Sequence, residues 1–160
     1  MLSSEKKIQN SKVSGRTSRT RQQNAGLDEL LPHDKMAEQA VLGAIIIQNS
    51  VLLRILDILS SDDFFSPAHQ LIFAAMQEMV SQEPPVPIDE LTLLSRLESR
   101  QQLEQTGGVD YLNELSQKTP VAENAEFYAH IVREKGQLRD IILTAHEVAK
   151  RGQEENAENI

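Results

Sequence analysis

The sequence predicts an all-α protein, a compact bundle of about five short helices with a long projecting C-terminal helix. Apolar residues recur at spacings of three and four, which is the period of an amphipathic helix. Proline and glycine clusters separate these periodic segments. The last periodic segment continues for about eight turns, which is more than a core of this size can cover.

Composition limits the possible classes of protein. The chain has 160 residues, 39% of them apolar, and no cysteine, which excludes a disulfide scaffold and a thiolate metal site. We assign residues 1–30 to a basic disordered leader, 31–151 to the domain and 152–160 to the start of a linker. No apolar run approaches the roughly 18 residues of a membrane span, so we predict a cytoplasmic protein without membrane contact, although the basic opening leaves an organellar transit peptide open.

Charge is distributed unevenly along the chain. Residues 1–26 carry six Lys or Arg against one Glu, a net charge of +5. Since the whole chain carries −8, the remainder carries −13. Binding to duplex DNA needs a basic stripe that displaces counterions from phosphate. We therefore predict that this chain contacts DNA only indirectly or through its leader.

The first predicted helix follows Pro32, with Asp34 as its N-cap and Glu38 in its first turn. Asn49-Ser50 ends this helix, and a short second helix follows it. The third is predicted to begin with Ser66 as N-cap and proline at the first helical position. The apolar faces are Met36, Ala40, Val41, Ala44 and Ile47; then Val51, Leu52, Ile55, Leu56 and Leu59; then Leu71, Ile72, Ala75, Met76, Met79 and Val80.

Residues 83–87, Glu-Pro-Pro-Val-Pro, end the third helix because each proline fixes φ and lacks a donor. Asp89 is predicted to cap a fourth helix. Gly107-Gly108 then permits positive φ before a short fifth helix, from 109 to about 117. The apolar stripe of the fourth helix contains Leu91, Leu94 and Leu97.

The sixth predicted helix follows Thr119-Pro120 and Asn124, and covers residues 125–151. It would be about 40 Å long, so its distal half should project, with Gly136 marking where it leaves the head. An exposed apolar projection usually marks an interface. Its stripe is Phe127, Ile131, Leu138, Ile142, Ala145 and Val148 or Ala149; the residues expected to be exposed are Ile141, Ile142, Leu143, Val148 and Ala149.

We place the partner surface at Tyr111, Ile142 and Val148, with burial in the head or against another copy as the alternative interpretation. Neither a metal site nor a catalytic pair is predicted. None of the four histidines has a second ligand at i+3 or i+4 arranged as in a zinc-binding helix, and no cysteine assists. The adjacent acids Asp62-Asp63 and Glu154-Glu155 are interpreted as solvated. We expect His69 to pack against the Asp63-Phe64 loop. Core packing explains Phe64, Phe65 and Phe73 better than base stacking does.

Five blocks, taken in order, resemble the N-terminal domain of the bacterial replicative DNA helicase, the DnaB family. The resemblance covers residues 31 to about 150. The blocks are Ala37-Glu38-Gln39 with Val41-Leu42-Gly43; Asp63-Phe64-Phe65 with His69 and Ile72-Phe73; Pro87-Ile88-Asp89 with Leu91-Thr92-Leu93; Gly107-Gly108 with Tyr111-Leu112; and Thr119-Pro120 with Asn124, Tyr128-Ala129 and Ile131-Val132.

The resemblance implies an all-helical head with a projecting hairpin, which forms the collar of a hexamer and docks primase. It implies sister helicase subunits and a helicase loader as further partners. ATP and Mg²⁺ would belong to a RecA-like motor, and this sequence has no Gly-Lys pair for a phosphate-binding loop. We therefore expect no cofactor here and no ATP hydrolysis by this chain alone. The family's second hairpin helix has no counterpart in the polar, turn-like residues 152–160, so we interpret the chain as a truncated piece.

Two alternatives from other classes remain. A small helical DNA-binding regulator could lie within residues 50–105, but its fourth helix offers only Arg96 and Arg100 against Glu90 and Glu98. A helical enzyme with its site in the bundle core would need inward polar groups, which the apolar stripes do not show.

Overall fold

A computed structural model describes residues 30–158, so the predicted leader lies outside the described residues except for its last residue. Within that range the regular structure is helical, with no strand. Five short α-helices and one long one follow each other in the order predicted, with single turns of 3₁₀-helix between some of them. The helices are α1 Lys35–Ile47, α2 Ser50–Leu56, α3 Pro67–Val80, α4 Glu90–Ser99, α5 Gly108–Lys118 and α6 Ala125–Glu158.

Local signals set the helix boundaries. The Asp34 carboxylate accepts from the amide of Ala37 at 2.9 Å, which confirms the predicted N-cap of α1. Asp89 caps α4 through a reciprocal pair of bonds with Thr92, of 2.8 and 2.9 Å. Pro67 is the first residue of α3 as predicted, although the Ser66 side chain makes no capping bond. These short-range interactions explain why the predicted boundaries lie close to the observed ones.

The core lies where α1 packs against α3, α5 and the first half of α6. Phe64 and Phe73 are fully buried with ring centroids 5.0 Å apart, which confirms their predicted packing role. Phe65 is only partly buried. The largest fully buried aliphatic side chains include Leu42, Ile45, Leu52, Ile55, Ile72, Met76, Met79, Leu93, Leu97 and Leu112.

The predicted apolar faces of α1 and α4 need correction. Leu91 is 72% exposed, and Leu93 occupies the inward position one turn before Leu97. At the two ends of α1, Met36 and Ile47 are exposed rather than packed. The 4-residue spacing of Leu93 and Leu97 satisfies helical periodicity as well as the predicted 3-residue spacing did. Only the position of the neighbouring helices selects between the two registers.

The glycine pair before α5 forms the predicted turn. Gly107 and Gly108 have φ values of 92° and 76°, a left-handed conformation that glycine adopts without steric cost. At the other end of the chain, α6 continues to Glu158. Residues 152–158 are therefore helical, and the prediction that they form a turn is wrong. Gly152 is tolerated there because one glycine costs a helix only about 1 kcal/mol.

Candidate interaction surface on the projecting helix

The first part of α6, residues 125–139, is attached to the head and is called the root. Its buried face contains small residues at helical spacing and ends in a buried arginine; these residues are Ala125, Ala129, Val132, Gly136 and Arg139. A Cβ on Gly136 would lie 2.9 Å from Oδ1 of Asp63, so only glycine permits this approach. The prediction that Gly136 lies near the point where the helix leaves the head is confirmed.

Charged groups hold the root in place. The Asp63 carboxylate accepts from Arg133 Nη1 at 2.7 and 3.0 Å, and its backbone oxygen accepts from Arg139. Arg139 also donates to the carbonyl of Pro32 at 2.9 Å, and its guanidinium lies 5.6 Å from the Phe65 ring centroid. Asp63 is 4% exposed, so the prediction that both adjacent acids are solvated is wrong for Asp63 and right for Asp62.

The rest of α6, residues 140–158, is called the distal segment, and it projects as predicted. Every side chain described in it, from 140 to 156, is exposed. At 1.5 Å per residue it extends about 28 Å beyond Arg139. The exposed large apolar residues on or next to it are Leu138, Ile141, Ile142, Leu143 and Val148. Ala149 is also exposed, so the predicted exposure of all five named residues is confirmed.

Most of these side chains share one face, which points away from the head. At about 100° per residue, the residues called here the outer stripe lie roughly opposite the buried face of the root. Phe127, predicted within the same stripe, is 78% exposed. Ile131 is partly buried and packs against the core, so within the root the stripe contacts the head at Ile131 but not at Phe127. The outer stripe consists of Phe127, Ile131, Leu138, Ile141, Ile142, Ala145, Val148 and Ala149.

A groove of about 590 Å³ lies beside the N-terminal end of the outer stripe, near Ile131. Ile131 belongs to both the stripe and the groove, and Tyr128 follows Phe127 on the next position of α6. Met36 and Pro120 contribute the apolar wall on the other side. The apolar surface therefore continues from the distal segment onto the head.

Tyr111, the third predicted partner residue, lies in the head and has two environments. Its partly buried ring stacks on His69 with centroids 5.9 Å apart, and its hydroxyl bonds to Nε2 of His69 at 2.6 Å. Gln39 donates to the same hydroxyl at 3.1 Å. Ile142 and Val148 lie on the distal segment. The structure therefore places the three predicted residues in two regions, one polar and one apolar.

The other end of this polar group is Glu38. Its carboxylate accepts from Nδ1 of His69 at 2.6 Å and from the backbone amides of Phe65 and Ser66 at 2.7 and 3.3 Å. Glu38 is 2% exposed and His69 is 1% exposed. The prediction that the interior lacks inward polar groups is therefore wrong. The predicted packing of His69 against Phe64 is confirmed by an edge contact of 6.4 Å between ring centroids.

The sequence carried a signal for this network. Glu38 lies between Ala37 and Ala40, and His69 precedes Ile72 and Phe73 by one helical turn, so both occupy core-facing positions. A polar residue at such a position requires a partner, because an unpaired buried polar group costs free energy. The pattern indicates that partners exist but does not identify them.

The environment of Tyr111 also changes its titration. Burial raises the pKa of the phenol above its ordinary 10.0, and the negative charges of Glu114 and Glu38 raise it further. The hydrogen bond from Gln39 and the positive charge of Lys118 oppose this rise in pKa. The phenol therefore keeps its proton at neutral pH and can donate to His69.

The structure also bears on the alternative classes of protein, which would need free basic groups, a metal site or a membrane-spanning helix. Glu78 pairs with both arginines near the end of α4, at 3.4 Å from Arg96 and in close contact with Arg100, so its negative charge offsets part of the positive charge that a DNA-binding helix would present. Among residues 30–158, no cluster of three or more His, Asp or Glu is arranged to hold a metal ion. No helix in this part of the chain is both long and apolar enough to cross a bilayer.

Comparison with known proteins identifies relatives of this arrangement. Residues 30–134 match the family model described as the DnaB-like helicase N terminal domain. The chain is 42% identical over 125 residues to the replicative DNA helicase DnaB of Geobacillus stearothermophilus and, over the same length, to the replicative DNA helicase DnaC of Bacillus subtilis. Each match covers 78% of this chain but only 27% of the relative.

Solved structures show the same fold. The N-terminal domain of DnaB helicase from Mycobacterium tuberculosis is 34% identical, with a TM-score of 0.73 over 77% of this chain and 88% of that one. The N-terminal domain of DnaB helicase from Helicobacter pylori, studied for its interactions with primase, has a TM-score of 0.64. It covers 81% of this chain and 97% of its own, and at 19% identity it supports the fold alone.

Proposed function

The chain belongs to the family of DnaB-like helicase N terminal domains, and from this membership we propose that it is a protein-docking domain that assembles with sister helicase subunits into a hexameric collar and docks primase. The observation that carries the proposal is the outer stripe of α6. Within the described residues, its large aliphatic side chains are exposed and lie away from the core. Covering them with another protein removes apolar surface from water, which is favourable.

Size and chemistry support a helical partner for the outer stripe. From Phe127 to Ala149 the stripe is about 33 Å long, at 1.5 Å per residue. Its residues lie at the i, i+3, i+4 and i+7 positions used when one helix packs against another or into a groove. A sister subunit presents the same surface, which is the requirement for a two-fold interface.

Primase is the second proposed partner. The Helicobacter pylori domain with the same fold was studied for its interactions with primase. In this chain Ile142 and Val148 offer exposed aliphatic contacts, and Tyr111 offers the accessible part of its ring. Tyrosine is enriched among the few residues that supply most of the binding energy of an interface, and covering exposed aliphatic side chains adds the favourable free energy of apolar burial.

We also propose that this chain neither binds nor hydrolyses ATP by itself. ATP and Mg²⁺ would bind to a motor domain elsewhere in the longer helicase, whose relatives are about four times as long as the matched region. Contact with a helicase loader, and with DNA through the basic leader, remain predictions from the resemblance and from charge. A cytoplasmic location is likewise a prediction from the sequence.

Substitution of the outer stripe tests the proposal. Ile142→Asp places a charge in the stripe, whereas Leu143→Asp places the same charge on a different face of α6 at similar exposure, 43% against 38%. We expect Ile142→Asp to weaken self-association and binding of a primase C-terminal domain by tenfold or more, which is about 1.4 kcal/mol. Leu143→Asp should change both by less than about threefold.

Sedimentation equilibrium measures the self-association, and isothermal titration calorimetry measures the primase affinity. Equal effects of the two substitutions would contradict the assignment of the interface to the outer stripe. Tight binding of duplex DNA by a chain lacking residues 1–26 at physiological salt would instead favour the DNA-binding alternative. Fluorescence anisotropy makes that measurement.

A further inference from the structure

The buried polar network joins elements that are far apart in the sequence. His69 is 31 residues from Glu38 and 42 residues from Tyr111, yet both contacts are 2.6 Å long. Four side chains take part, namely Gln39, Tyr111, His69 and Glu38. The Gln39 and Tyr111 side chains are partly exposed, whereas the Glu38 and His69 side chains are buried.

The hydrogen-bond donors of the network point in one direction. The Gln39 amide donates to the phenol oxygen, which leaves the phenol proton for Nε2 of His69. The proton on Nδ1 of His69 is then donated to Glu38. This arrangement satisfies both ring nitrogens and fixes the ring orientation. A change at Tyr111 therefore alters the bond that His69 makes and, through it, the position of the Glu38 carboxylate.

Glu38 passes this constraint to the root of α6. Its carboxylate accepts from the amides of Phe65 and Ser66, and so fixes the short segment that follows Asp63. That segment is also the support on which α6 rests. Asp63 binds Arg133 and Arg139 and lies against Gly136. The Phe65 ring stacks on the His33 ring, with centroids 4.2 Å apart, and its centroid lies 5.6 Å from the guanidinium of Arg139.

The length of the distal segment amplifies small changes at this support. Beyond Arg139, every side chain that the structure describes, from 140 to 156, is exposed. A tilt of about 5° at the root would move the end of a 28 Å helix by roughly 2.5 Å. A shift of that size is comparable with the helix movements that change the fit of a subunit interface.

We propose that Glu38, His69 and Tyr111 are positioning residues, which connect the partly exposed ring of Tyr111 to the orientation of the projecting helix. The inference rests on the proposed function, since it treats α6 as the partner-binding element. A protein that covers or displaces Tyr111 changes the phenol bond to His69, and the change reaches the root through Glu38 and the segment from Asp63 to Ser66. The network thereby sets the angle at which the outer stripe is presented.

Electron spin resonance distances between two labels test the proposal on the chain alone. The sequence contains no cysteine, so Glu98→Cys on α4 and Gln153→Cys on the distal segment give two unique labelling sites. Dilution with an excess of unlabelled chain restricts the signal to distances within one molecule. Tyr111→Phe removes only the network hydroxyl, and Tyr128→Phe removes the hydroxyl of the one other tyrosine.

We expect a narrow distance distribution in the parent and in Tyr128→Phe. In Tyr111→Phe we expect the distribution to broaden about twofold or its mean to move by roughly 2 to 3 Å, with helix content unchanged by circular dichroism. His69→Gln should change it in the same direction. An unchanged distribution in Tyr111→Phe, or an equal change in Tyr128→Phe, would overturn the proposal. Because no partner is present, this result is independent of the Ile142→Asp binding test.

Discussion

The root and the distal segment of α6 bury and expose opposite kinds of residue. The root buries a full guanidinium, Arg139, and contacts the buried carboxylate of Asp63, whereas the distal segment exposes Ile141, Ile142 and Val148. Neither arrangement follows from hydrophobicity alone. The charges are buried because each is bonded, and the aliphatic side chains are exposed because the head does not extend to them. The comparison shows that the buried charges of the head have partners within the chain, whereas the apolar side chains of the distal segment remain uncovered.

Loss of a buried hydrogen-bond acceptor in the head gives the largest expected effect on the free energy of unfolding. In Glu38→Ala, the amides of Phe65 and Ser66 and Nδ1 of His69 lose their acceptor in a fully buried position. We expect the free energy of unfolding to fall by about 3 kcal/mol, because buried polar groups without partners are costly. Urea denaturation followed by circular dichroism measures this change. Glu134→Ala, at an exposed position of α6, is the control and should change it by less than about 0.5 kcal/mol.

Two glycines of the same helix provide a smaller and sharper comparison. Alanine at 136 would place its Cβ 2.9 Å from Oδ1 of Asp63 and 3.2 Å from backbone atoms of Asp63, whereas alanine at 152 meets nothing within 4 Å. We expect Gly136→Ala to lower the free energy of unfolding by about 1 kcal/mol despite its better helix propensity. Gly152→Ala should increase helix content without loss of stability. Thermal melts measure the change in stability, and circular dichroism measures the change in helix content.

If Gly136→Ala were as stable as Gly152→Ala, the close contact between the root and Asp63 would be refuted. The distinction between a fixed root and an unsupported distal segment would then be lost as well.

The smallest expected effect is the loss of stability at alkaline pH. Because burial raises the pKa of Tyr111 above its unfolded value of 10.0, the folded state holds the phenol proton more tightly. This contribution to stability is fully present below pH 10.0 and is lost as the pH rises through the folded pKa. We expect the free energy of unfolding of Tyr111→Phe to fall less at alkaline pH than that of the parent chain. Urea unfolding between about pH 9 and 11 measures the free energy of unfolding as a function of pH. If its slope against pH were the same in Tyr111→Phe and in the parent, the raised pKa of the phenol would be contradicted.

Much of the fold could be predicted because its signals are local. Asp34, Pro67 and the Gly107-Gly108 pair act within one turn of their own positions, so the order and the approximate bounds of the helices follow from short segments. The projection of α6 and the exposure of Ile142 and Val148 likewise follow from comparing one helix with the size of the core. The polar residues 152–158 contain no local signal strong enough to end the helix, and their prediction as a turn was wrong.

The candidate site was only half predictable from the sequence. The apolar distal segment was recognised from its period, but the buried position of Asp63 and the network around His69 were not predicted. The register of α4, with Leu93 inward and Leu91 outward, was also not available from its spacing. Each of these features depends on which distant residue lies opposite.

The sequence by itself determined the helical class, the order and approximate bounds of the first five helices, the acidic body and a sixth helix too long for its core. The tertiary structure alone decided which face of that helix meets the head and which polar groups meet inside it. The physical reason is range. Caps, prolines and glycines act over a few residues, whereas Glu38, His69 and Tyr111 become neighbours only after the chain has folded and water has been excluded from between them.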